Sequence, residues 1–139
     1  MKSSAPQKIK TFEDLECWKR CRSLRIFVAK ELVPALPKSE RYRLSDQVLR
    51  AARSTTANIA EGYGRFHFLD NAKFCSNSRG SCWEVLDHFI TAGDEDLAPA
   101  DLLNRGRTLV NDAVKVLNGY MNYLKRAQGL SDKEPLTDN

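Results

Sequence analysis

Apolar and small residues recur at three- and four-residue steps in four separate stretches of the chain, and no stretch alternates with a period of two. The pattern predicts four amphipathic helices and no strand. It is clearest over residues 44–65, where Leu44, Val48, Ala52, Thr55, Ile59 and Tyr63 fall on one stripe. Ala51, Ser54, Thr56, Ala57 and Ala60 flank that stripe, and small flanks let neighbouring backbones come close. The polar remainder includes Arg50 and Arg53, one turn apart, which make a local basic strip.

In chain order, residues 1–10 lack periodicity and read as a loose arm. Thr11 and Asp14 have the spacing of a capping box, so the first helix is expected to start near Phe12 or Glu13. Its apolar positions are Leu15, Trp18, Cys21, Leu24, Val28 and Leu32, and it is expected to end at about Leu32. Pro34 and Pro37 forbid continuation and leave a loop at 33–39. Either Ser39 or Ser45 can cap the second helix, which Gly62 and Gly64 should end by taking the left-handed conformation. A third helix, starting between Phe66 and Asp70, carries Leu69, Phe74, Cys75, Ser78, Cys82, Val85, Leu86 and Phe89. Gly80 lies inside it, and close approach of another helix is the simplest reason for a glycine there. Thr91 to Asp96 is turn chemistry, and Pro99 suits the first position of a last helix. That helix carries Leu102, Gly106, Leu109, Ala113, Val116, Tyr120 and Leu124, with Leu103, Val110, Leu117 and Met121 beside them, and is expected to stop before Gly129. The expected layout is an arm at 1–10, an all-α, antiparallel up-down-up-down four-helix bundle at 11–129 and a mobile tail at 130–139.

Composition changes the picture little. At 139 residues, 42% hydrophobic and 29% charged, the chain fits one globular domain. No apolar run approaches the roughly 20 residues that span a bilayer. The N-terminus lacks the apolar core of a secretory signal, and a cytoplasmic protein is expected. Charge is more informative. Residues 1–93 carry 16 Lys and Arg against 10 Asp and Glu, whereas residues 94–139 carry 6 against 8. A basic face of this kind favours a polyanion; a solvated exterior is the plain alternative.

Candidate chemistry is thin. Cys17 and Cys21 share one helix face, as do Cys75 and Cys82, so a four-thiolate zinc site is conceivable, but no turn supplies the usual knuckle. Buried core thiols are the expectation, and no metal or other cofactor is implied. Gly62-Tyr63-Gly64-Arg65 is not a phosphate loop, because it lacks the G-x-x-x-x-G-K-[ST] spacing and a preceding strand. His67 falls in a corner. His88 lies near Glu84 and Asp87, but no second E-x-x-H completes a di-metal bundle site. No nucleophile with a base is found, and an enzyme is not expected. Trp18, Trp83 and Tyr63 are potential base-stacking platforms. Trp18 lies on the apolar stripe and is assigned to the core, whereas Trp83 lies off its stripe and suits an association surface. Asn58 and Glu61, polar among alanines, either bind a ligand or pair across the bundle or a subunit interface.

Several of these segments together resemble a known family. Leu44-Ser45-Asp46-Gln47, Ala57-Asn58-Ile59-Ala60-Glu61-Gly62-Tyr63-Gly64-Arg65, the opening Phe12-Glu13-Asp14-Leu15-Glu16-Cys17-Trp18, and Arg79-Gly80-Ser81 with Glu84 are similar to the proteins encoded in intervening sequences of bacterial 23S ribosomal RNA. Homologues of that family include the accessory protein of diversity-generating retroelements. The resemblance spans residues 12–93 in order. It implies a four-helix bundle assembled as a homopentameric ring, binding RNA or DNA, with or without a reverse transcriptase partner. On that reading Arg50, Arg53, Arg65, Lys73 and Arg79 are the expected nucleic-acid contacts, and Asn58, Glu61, Tyr63 and Trp83 the expected interface. A structural or protein-interaction scaffold with no direct nucleic-acid role is the alternative.

Overall fold

The chain enters its first helix through a cap that the sequence spells out. Thr11 Oγ1 accepts the Glu13 N–H at 3.1 Å, and Asp14 Oδ2 accepts the N–H groups of Lys10 and Thr11 at 2.9 and 3.2 Å. Those two backbone donors hold the Asp14 carboxyl below its ordinary value, because they favour the charged form. The box closes a short 3₁₀ turn, Phe12–Asp14, and not the helix itself. Leu15 is extended and α1 (Glu16–Phe27) starts after it, later than the spacing predicts.

In the computed structural model, which describes residues 8–132, three further helices follow: α2 (Leu44–Tyr63), α3 (Phe68–Asp94) and α4 (Ala100–Asp132). Among the described residues there is no strand. Each helix packs on its chain neighbours and α4 closes back on α1, giving an antiparallel up-down-up-down bundle with α1 diagonal to α3 and α2 diagonal to α4. Of the expected arm and tail, residues 1–7 and 133–139 lie outside the described residues.

The prolines do not end the first helix where expected. After Phe27 the helix widens into a π-helical stretch, Val28–Leu32, in which the Val33 N–H reaches back to the Val28 carbonyl, and one more turn, Val33–Ala35, contains Pro34. The widened turn changes the hydrogen-bond register just where proline has no donor to offer, so the chain stays helical to Ala35. Leu36 then turns extended. Neither Ser39 nor Ser45 caps α2: its N-cap is Arg43, with no side-chain cap, and Glu40 Oε1 accepts the Leu44 N–H at 3.3 Å. Ser45 is buried instead.

The core is one continuous cluster through the middle of the bundle. Leu24, Val28, Leu32, Val48, Ala52, Ile59, Val85, Phe89, Val110 and Leu117 are fully or almost fully buried. On α4 the deepest positions are Val110, Ala113, Leu117, Met121 and Leu124, so the helix is rotated from the Leu109-Val116-Tyr120 centre expected from periodicity. Leu69, assigned to the α3 stripe, is half exposed. Buried polar groups are paired: Ser78 Oγ donates to the Thr55 carbonyl at 2.7 Å, and Thr55 Oγ1 to the Ala52 carbonyl at 2.7 Å.

Glycine marks two close crossings. A Cβ on Gly62 would stand 2.8 Å from Phe74 Cβ, and one on Gly106 would stand 2.5 Å from Phe89 Cε2 and 2.9 Å from Phe27 Cε2. Neither Gly62 nor Gly64 takes the left-handed conformation expected of it; the left-handed residue at that corner is Phe66, with φ 61°. Gly80 is not a close-approach glycine at all, since nothing lies within 4 Å of where its Cβ would be. Gly129 does not stop the last helix, which runs to Asp132, because a glycine weakens a helix by about 1 kcal/mol without ending it.

Candidate nucleic-acid interface

The five basic residues expected to contact nucleic acid do not form one strip. Arg50, with a side chain 77% exposed, pairs with Asp46 one turn earlier at 3.6 Å. Arg65 pairs with Glu61 at 3.0 Å and lies 4.9 Å over the Phe74 ring. Arg53 lines a shallow hollow between α1 and α2, together with Arg25, whose Nη1 donates to Thr56 Oγ1 at 2.8 Å. Lys73 and Arg79 line a groove of about 560 Å³ between α3 and α4, on the opposite side of the bundle. Helical geometry explains the split: positions on α2 facing α1 and positions on α3 facing α4 are turned away from each other.

The α3–α4 groove is lined by three cationic side chains and the α1–α2 hollow by two. Lys73, Ser76 and Arg79 come from α3, and Asn118, Asn122 and Lys125 from α4, over a floor that includes Ala72 and Met121. No carboxylate is among its lining residues. Arg79 Nη1 donates to Asn118 Oδ1 at 2.6 Å, which fixes one guanidinium edge and presents the rest to the groove. Of the residues lining this groove, Lys73 and Arg79 were singled out from the sequence and Asn118, Asn122 and Lys125 were not. Their spacing at i, i+4 and i+7 marks one face of a helix, but they lie in the acidic part of the chain, where a basic site was not sought.

Of the expected interface residues, Asn58, Glu61 and Tyr63 lie in the last two turns of α2 and Trp83 lies on α3. Asn58 Nδ2 donates to the carbonyl and the hydroxyl of Ser54, both at 2.9 Å, and Glu61 pairs with Arg65, so both serve their own helix and not a partner across the bundle. Tyr63 is half-buried at the end of the bundle. Trp83 is 46% exposed. The motif Arg79-Gly80-Ser81 has a structural part as well, since Ser81 Oγ and Ser54 Oγ lie 2.8 Å apart and tie α3 to α2. Phe12 and Trp18 meet edge to face at 5.4 Å beside the core, with Arg22 5.9 Å from the indole centroid.

All four cysteines are free and buried. Cys21 and Cys82 Sγ lie 3.9 Å apart, and Cys21 Sγ lies 3.8 Å from Ser78 Oγ. Burial pushes the Cys75 thiol up to about 12 and raises Cys17 further. The contact with Cys21, and then burial, raise Cys82. Among the described residues no three His, Cys, Asp or Glu side chains gather in a way that could hold a metal ion. His88 Nε2 contacts Glu84 Oε2 at 3.2 Å along one helix, and His67 is exposed at the start of α3. Among the described residues no helix is long and apolar enough to cross a membrane.

A search of curated proteins finds no match. A family model does match, under the description 23S rRNA-intervening sequence protein, over residues 13–119. That segment holds α1, α2, α3 and the first 20 residues of α4, including the Arg79–Asn118 pair, so the resemblance carried by the opening, central and Arg-Gly-Ser motifs extends into the last helix: the chain belongs to the 23S rRNA-intervening sequence protein family.

Proposed function

We propose that this protein is a non-enzymatic, oligomeric bundle of the cytoplasm that binds structured nucleic acid through its basic surface. The observation that supports the reading is the α3–α4 groove, where Lys73, Arg79 and Lys125 stand together with no carboxylate among the lining residues. Cations gathered without acids release the counterions of a polyanion on binding, and that release favours association. Arg50 and Arg65 carry less of the interaction, because Asp46 and Glu61 already offset part of their charge. Five subunits in a ring, as the family resemblance implies, would repeat the groove and multiply the effect.

The test is a salt titration of binding to a hairpin RNA by fluorescence anisotropy. With three phosphates neutralised per groove, the logarithm of affinity falls against the logarithm of salt with a slope of about −2 to −3. Absence of any complex at low salt ends this reading. A scaffold that binds only other proteins, such as a reverse transcriptase, is the second reading. It draws on Trp83 and Ile90, both exposed and two turns apart on α3. Trp83→Ser, followed by light-scattering mass in solution, separates a ring that uses this face from one that does not.

A further inference from the structure

The bundle carries a second basic site, on the side opposite the α3–α4 groove. It is the hollow of about 470 Å³ between α1 and α2, where Arg25 and Arg53 stand with Phe12, Trp18, Thr56 and Ala57 and no carboxylate is among the lining residues. A relay sets Arg25 in place: its Nη1 donates to Thr56 Oγ1 at 2.8 Å, and that hydroxyl donates in turn to the Arg53 carbonyl at 3.3 Å. Thr56 is buried, so the two bonds hold the Arg25 guanidinium against the α2 backbone where Arg53 leaves it. Arg53 itself is exposed. Among the described residues the ion-paired arginines are Arg20, Arg50, Arg65 and Arg105, which leaves Arg25, Arg53 and Arg79 without a carboxylate partner; Lys73 and Lys125 have none either. Unpaired cations beside apolar side chains focus their field on an incoming anion, whereas a carboxylate one turn away offsets it.

We propose that the α1–α2 hollow is a second phosphate site, and that one protomer thereby bridges two nucleic-acid segments, one on each side of the bundle. The proposal rests on the nucleic-acid reading above and adds an activity to it. Helices α1 and α3 each neighbour α2 and α4, so the α1–α2 and α3–α4 sides face opposite ways. Helix axes about 8–10 Å apart, with side chains outside them, make the bundle about 20 Å through. That exceeds the Debye length of about 8 Å at physiological salt, so phosphates on one side are screened from those on the other. A duplex stem has a persistence length of about 150 base pairs and cannot bend round so thin a body, so one stem fills one site. Three cations against two make the α3–α4 groove the tighter site and the hollow the second to fill.

The experiment uses two RNA hairpins with stems of roughly ten base pairs, too stiff to reach both sites, one carrying a donor dye and the other an acceptor. They are mixed at low salt with the full chain, Arg53→Glu or Arg53→Lys; the side chain is exposed, so neither replacement disturbs the core. Energy transfer reports bridging, and a titration of one labelled hairpin gives the number bound per protomer. The parent is expected to bind two hairpins per protomer, one per site, and to give energy transfer. Arg53→Glu is expected to keep the first hairpin and lose both the second and the transfer, whereas Arg53→Lys, which keeps the charge, behaves as the parent. One hairpin per protomer for the parent, or transfer that survives Arg53→Glu, overturns bridging by two sides and leaves the basic-surface reading standing. Absence of any complex with either hairpin removes both.

Discussion

Gly80 and Gly106 are both mid-helix glycines, and the space around each sets opposite expectations for the same substitution. At Gly106 an added methyl meets the rings of Phe89 and Phe27, so Gly106→Ala is expected to cost about 1–3 kcal/mol by overpacking, read as a lower urea midpoint. At Gly80 the space is open, and Gly80→Ala is expected to raise stability by about 0.5–1 kcal/mol through helix propensity and a less flexible unfolded chain. If Gly80→Ala instead lowers the mass in solution without loss of helicity, the open space is filled by another subunit. The cysteines give a second residue-scale prediction. Burial raises Cys17 and Cys75, and the Cys21 contact with burial raises Cys82, so these thiols stay protonated near neutral pH, where the thiolate is the reactive form. An alkylating reagent at pH 7 to 8 should leave these three unmodified in the folded protein and label them once denaturant is added, as counted by peptide mass, which scores Cys21 separately because its contact with Cys82 lowers that thiol. Rapid native labelling of Cys17, Cys75 or Cys82 would contradict the packing.

At the scale of elements, the α2–α3 corner is set by contact and not by glycine's freedom to turn. Gly62 lets Phe74 and Asn71 approach the α2 backbone, and the left-handed residue is Phe66, three positions past the helix end at Tyr63. Gly62→Ala must push α3 away, because the obstructing Phe74 Cβ is fixed to its backbone, and a loss of about 1–3 kcal/mol is expected in thermal or urea unfolding. Gly64→Ala, with ordinary contact distances of 3.6 and 3.7 Å, is expected to be nearly silent in the same assay. The first helix teaches a similar lesson. Pro34 removes a donor, but whether that ends a helix depends on the register upstream, and the π-helical stretch Val28–Leu32 supplies one that tolerates it. The last helix passes Gly129 for a related reason: propensity is a small local term, and it decides an end only when a turn must form there.

At the scale of the whole molecule, charge is sorted by which helices neighbour each other. The square arrangement sends Arg53 and Arg25 to the α1–α2 side and Lys73, Arg79 and Lys125 to the α3–α4 side. The double variant Lys73→Glu, Arg79→Glu is therefore expected to weaken RNA binding at least tenfold and to flatten its salt slope by about 2, whereas Arg50→Glu should change either by much less. Equal losses from the two variants would mean that the α3–α4 groove is not the contact. The fold class, the number of helices, the buried thiols and most of the core were legible in the sequence, because a buried stripe must repeat with the helical period and the chain has four such stripes. Thr11 and Asp14 were legible too, since a capping box is local chemistry. The groove was not, because Lys73 and Lys125 lie far apart in the chain and come to line one groove only when α3 and α4 pack. One-dimensional order therefore determined what each helix buries; the packing of the four helices decided which exposed side chains share a face, since helix rotation and neighbour choice are settled by contacts between segments, not within them.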